Sequence, residues 1–85
     1  MQWTASASKH GITQTDAFYA MSHSTWREKV TKASGEVEIT VVGPAHAQTD
    51  RPLEVVFAFT RSGDTMIYHV MELGPQIRKR MENSL

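Results

Sequence analysis

The 85 residues contain no cysteine, no excess of charge of either sign and no long apolar run. Without cysteine there is no disulfide framework and no thiolate metal site. Nine basic side chains balance nine acidic ones, which argues against a protein that holds nucleic acid by bulk positive charge. No apolar stretch approaches the roughly 20 residues of a membrane-spanning helix. The opening residues, Met1-Gln2-Trp3-Thr4, lack the basic and apolar regions of an export signal, so a cytoplasmic chain with no membrane contact is expected. A serine nucleophile elbow, a phosphate-binding Walker loop and a dinucleotide fingerprint are all missing. The four histidines, at 10, 23, 46 and 69, show no paired ligand spacing, so neither a metal nor another cofactor is expected.

What is present, 40% hydrophobic and 21% charged residues, reads as one globular domain over residues 1–85. So small a core gives modest stability, which makes self-association or a partner an expectation. Charge is unevenly placed. Residues 1 to 35 carry Lys9, Arg27, Lys29 and Lys32 against Asp16 and Glu28, while residues 36 to 50 carry only Glu36, Glu38 and Asp50. The last 35 residues bring Arg51, Arg61, Arg78, Lys79 and Arg80, so basic ends bracket an acidic centre.

The stretch Lys9-His10-Gly11-Ile12-Thr13 punctuates the chain: Gly11 closes one helix and Thr13 caps the next, with Asp16 completing a capping box and Ile12 serving as a staple. This predicts a short helix over residues 4 to 10 and a firmer one from Gln14 to about His23, whose Ala17, Ala20, Met21 and Ser24 share a face. Residues 24 to 35 read either as a helical extension or as a basic loop ending at Ser34-Gly35. From Glu36 the apolar period becomes two, giving a strand to about Val41 that ends at Gly43-Pro44. Leu53 to Thr60 and Thr65 to Leu73 form a hairpin around Ser62-Gly63. That turn sets Val55 opposite Val70, Phe57 opposite Tyr68 and Phe59 opposite Met66, and places His69 on the other face, beside Val56 and diagonal to Glu54. Gly74-Pro75 starts a closing helix with Ile77, Met81 and Leu85 as its apolar stripe. The expected fold is α+β: two N-terminal helices, an antiparallel sheet of at least three strands and a C-terminal helix.

Imidazole, guanidinium and ammonium groups suit phosphodiester cleavage without a metal. That reaction needs a base for the 2′-hydroxyl, cations for the developing charge and an acid for the leaving oxygen. The bland reading of the same residues is a strand histidine bonded to a neighbour and a solvated basic helix face.

Trp3, Lys9-His10-Gly11-Ile12-Thr13, Asp16-Ala17, Arg51 before Leu53-Glu54-Val55-Val56, and Arg61-Ser62-Gly63 together resemble the BrnT-like toxins of bacterial type II toxin-antitoxin systems. The resemblance implies a fold similar to RelE-type ribonucleases, growth arrest through RNA cleavage and neutralisation by a cognate antitoxin. One departure is plain: where that family commonly carries Ile-Ser-Ala-Arg on the last strand, this chain reads Tyr68-His69-Val70-Met71-Glu72. With that arginine missing, the expected catalytic set is His69, Arg51 and Arg78, and the expected RNA contacts are Lys9, His10, Arg61, Lys79 and Arg80. The competing reading is a non-enzymatic module that dimerises, or binds a partner, through a sheet edge and the Ile77, Met81, Leu85 stripe.

Overall fold

A computed structural model of the chain describes residues 1–84. In order it contains strand β1 (Gln2–Trp3), a 3-10 turn (Ser6–Ser8), helix α1 (Gln14–Ser22), strands β2 (Trp26–Thr31), β3 (Val37–Pro44), β4 (Pro52–Phe59) and β5 (Thr65–Glu72), and helix α2 (Pro75–Asn83). The strands form a single sheet in the order β1-β5-β4-β3-β2. β1 runs parallel to β5 and every other pair is antiparallel, so the sheet is mixed and five-stranded, with two strands more than the hairpin and its neighbour supply.

Two N-terminal helices are not formed. The predicted helix over residues 4 to 10 is one 3-10 turn, because its polar side chains bond locally and compete with a helical ladder. The Ala7 amide donates to Thr4 Oγ1 at 3.2 Å, and Ser8 Oγ accepts the Trp3 indole N–H at 2.6 Å. β2 takes the stretch that sequence left between helix and loop, and Gly35, at φ +88°, closes its hairpin onto β3. α1 begins where its cap predicts: Thr13 Oγ1 accepts from the Asp16 amide at 3.2 Å, and Gly11 takes φ +72° just before it.

α1 and the 3-10 turn pack on one face of the sheet. Ala7, Ala17 and Ala20 meet Ile39, Val41, Leu53, Val55, Phe57, Ile67 and Val70 in one cluster, with Trp3, Ile12 and Met21 around it. Full burial of each larger aliphatic side chain contributes about 1.5–3 kcal/mol. The approach of α1 is close enough that a Cβ on Gly43 would lie 2.3 Å from the Ala20 carbonyl oxygen.

The β4–β5 hairpin keeps the predicted register from Leu53 to Val56, so Val55 faces Val70 and Val56 faces His69. It then slips by one: Phe57 pairs with Ile67 instead of Tyr68, and Phe59 with Thr65 instead of Met66. Tyr68 is the extra residue of a bulge. The bulge lets Ile67 and Val70, three apart, both enter the α1-side core, where neither is exposed.

α2 crosses the opposite face. Its first turn follows Gly74, an N-cap in extended conformation with Pro75 at the first helical position. Its far end reaches β2, where Arg80 pairs with Glu28 and the Trp26 indole donates to Ser84 Oγ at 3.0 Å. Of the expected docking stripe, Ile77 is buried within the chain itself and Met81 is half-buried, while Leu85 lies outside the described residues.

Candidate functional site

His69 stands on the α2 side of β5, one-third exposed, with its Nε2 2.9 Å from Glu54 Oε2. Glu54 is buried, and its second oxygen accepts the Gly74 amide at 2.7 Å. One carboxylate therefore fixes both the imidazole and the start of α2. Where Glu54 accepts this bond the proton sits on Nε2, and the neutral imidazole then keeps its lone pair on Nδ1. This is the arrangement by which a buried carboxylate orients an imidazole and stabilises the imidazolium that forms when it takes a proton.

A second imidazole meets the first. The loop between the 3-10 turn and α1 carries His10 around the β5 edge, where its ring sits edge-to-face with that of His69, centroids 5.6 Å apart and planes at 81°. Thr4 secures the passage: its amide donates to the Ile67 carbonyl at 3.1 Å and its hydroxyl to the Tyr68 carbonyl at 3.4 Å. Lys9, exposed, precedes His10.

The other residues singled out by sequence lie apart from this cluster. Arg51 is ion-paired with Glu72, both well exposed. Arg61 belongs to the β4–β5 turn, at the opposite end of the hairpin from Glu54. Arg78 lines a crevice of about 230 Å3 with Thr25, Trp26 and Met81. Lys79 is exposed on α2, and Arg80 is taken up by Glu28. The structure thus joins His10 to His69 and adds Glu54, which sequence placed only as a diagonal neighbour. His23 and His46 have local roles: His23 stacks on Tyr19 at 3.9 Å, and His46 Nδ1 accepts the Gln48 amide at 3.3 Å. Among the described residues no three His, Asp or Glu side chains converge to hold a metal ion.

A second feature lies on the α1 side, where the cover of α1 runs out. It is an open groove of about 990 Å3 whose lining includes Arg27 and Lys29 from β2, Val37 and Ile39 from β3, Phe59, Arg61 and the bulged Tyr68. The Tyr68 hydroxyl donates to Glu36 at 3.3 Å; partial burial and the neighbouring carboxylate push the phenol above its ordinary pKa. Beside it, Lys32 is raised above its ordinary value by its bond to Glu38 at 2.9 Å. Sequence alone does not find this groove, because its basic residues Arg27 and Lys29 lie in a stretch that reads equally as helical extension or loop. The signal that could have found it was Ser34-Gly35, a hairpin turn between Trp26-to-Thr31 and Val37.

No protein family, no curated protein and no solved structure matches this chain. No helix among the described residues is long and apolar enough to cross a membrane.

Proposed function

We propose that this chain is a toxin-type endoribonuclease of the cytoplasm, working without a metal and restrained by a cognate antitoxin. The observation that carries the reading is the paired imidazoles, with His69 tied to a buried carboxylate and His10 against its ring. In this reading His69 Nδ1 takes the proton of a ribose 2′-hydroxyl. The freed oxygen attacks phosphorus, and the bond to the 5′-oxygen breaks as protonated His10 hands its proton to the leaving group. The products are a 2′,3′-cyclic phosphate and a 5′-hydroxyl. Two positioned proton-transfer groups each contribute about 10²- to 10⁴-fold to such a step. Lys9, exposed next to His10, is the cation nearest in sequence to the pair. The Lys-His-Gly-Ile-Thr resemblance to BrnT-like toxins supports the same reading. Arg51 and Arg78 drop from the catalytic set, one held by Glu72 and the other facing a crevice near Trp26.

Induction in a bacterial host tests this. The wild type is expected to slow growth and leave RNA fragments ending in cyclic phosphate, His69→Ala and His10→Ala to restore growth, and Glu54→Gln to fall between. Wild-type and His69→Ala cultures that grow alike, with intact RNA, would end the catalytic reading.

A further inference from the structure

β2 is the last strand of the sheet, and among the described residues nothing pairs with its outer side. The Lys32 amide bonds the Glu36 carbonyl at 2.8 Å, which closes the β2–β3 hairpin. By antiparallel alternation, the backbone groups of Arg27, Lys29 and Thr31 then point to the free edge. Their side chains fall on the α1 side, on which Arg27 and Lys29 line the groove together with Arg61. These three cations form no ion pair among the described residues, whereas Lys32, Arg51 and Arg80 each do. Apolar surface accompanies them: Phe59 is 54% exposed in the groove and Val30 is 41% exposed on the other face of β2.

We propose that the free edge of β2 and the groove beside it bind an acidic, extended polypeptide segment as a sixth strand. Backbone pairing along Arg27, Lys29 and Thr31 supplies the affinity, and acidic side chains on alternate residues meet Arg27, Lys29 and Arg61. The intervening residues, apolar, meet Val30. A second copy of this chain paired about the middle of β2 fits poorly. Every two-fold antiparallel register that centres on Arg27, Glu28 or Lys29 sets one of these cations opposite another, a destabilising pair. A single-stranded nucleic acid makes no use of the unpaired backbone groups of the strand edge. The proposal is independent of catalysis, since His10 and His69 lie elsewhere.

The test uses the full chain and a decapeptide alternating Glu with Val, at millimolar concentration, followed by amide hydrogen exchange. Protection is expected at Arg27, Lys29 and Thr31, with about tenfold weaker binding when Gln replaces Glu in the peptide. Arg27→Glu with Lys29→Glu should reverse the preference, toward a Lys-Val peptide. Lys29→Pro, with its amide spectrum otherwise preserved, should lose the peptide by removing one outward N–H. His10→Ala and His69→Ala should bind it as the wild type does. Equal affinity for the Glu and Gln peptides overturns the proposal. So does perturbation of Arg27, Lys29 and Arg61 by oligouridine with no response to the peptide, which would make this a nucleic-acid surface. Concentration-dependent protection of β2 without peptide would assign the edge to a second copy and overturn it as well.

Discussion

Phe57 and Phe59 stand two residues apart on the same face of β4, their rings 5.9 Å apart, yet Phe57 is 5% exposed and Phe59 is 54%. The difference is one of cover. α1 is nine residues long, about 13 Å at 1.5 Å per residue, and with the 3-10 turn it closes only the half of the face around Val41, Val55 and Val70. On the other half the sheet continues without a roof, and its side chains become Arg27, Lys29, Tyr68 and Phe59. A sheet face is thus not buried or open as a whole. Where the cover stops, a core surface becomes a binding surface within two residues of the same strand.

The covered half breaks most severely at Gly43. Any Cβ there meets the backbone of Ala20 at 2.3 Å, and backbone cannot swing aside as a side-chain tip can. Gly43→Val should cost about 5 kcal/mol or more, comparable with the whole stability of a domain this small. The check is soluble yield and a urea transition, and a cooperative transition near the wild-type midpoint would show that α1 does not lie against Gly43 in solution.

The aromatic pair sharpens the contrast directly. Phe57→Ala removes a packed ring from the core and should cost about 3–5 kcal/mol, whereas Phe59→Ala should stay within about 0.5 kcal/mol. Equal urea midpoints for the two variants would mean that the groove is closed in solution, by α1 or by another molecule.

Sequence exposed the covered half better than the open one, for a physical reason. Thr13, Gly11 and Gly74-Pro75 are punctuation whose effect is local, so helix starts could be read from them. Next to the turn the predicted register fails, because Thr60 pairs with Asp64 around a three-residue loop; the bulge at Tyr68 then restores the predicted pairs from Val56 to Leu53, and with them the approach of His69 to Glu54. Beyond that, contacts distant in sequence decide. The bulge at Tyr68 exists because Ile67 and Val70 both gain burial under the N-terminal segment, and no local pattern announces that gain. β2 has a mostly exposed pattern, so it lacks the apolar alternation that marks a half-buried strand. β1 is two residues long and parallel, below what periodicity can detect. The same limit applies to the site: His10 and His69 are 59 positions apart, and only the wrap of the first ten residues around β5 brings their rings together.

That wrap depends on how the start of the chain is fastened to the hairpin, which yields the smallest predicted effect. The Met1 ammonium lies 2.7 Å from Asp64 Oδ1, and the Thr65 amide donates to the same oxygen at 2.8 Å. The bond from the ammonium, then that from the Thr65 amide, hold the Asp64 carboxyl below its ordinary value. A native pKa below the unfolded one means that the unfolded state binds the proton more readily. The carboxylate therefore favours folding above the ordinary Asp value of about 4, and the contribution fades as pH falls through the lowered native value. Asp64→Asn should lower the urea midpoint slightly at neutral pH, and the two midpoints should converge in acid, once the native carboxyl is protonated as well. Because the pair is exposed and screened, 0.5 M salt should shrink the neutral-pH difference. A difference that persists unchanged at acid pH and high salt would assign the role of Asp64 to its bond with the Thr65 amide in the turn, and leave the N-terminal cover to be held by packing, the β1–β5 pairing and the bonds of Thr4.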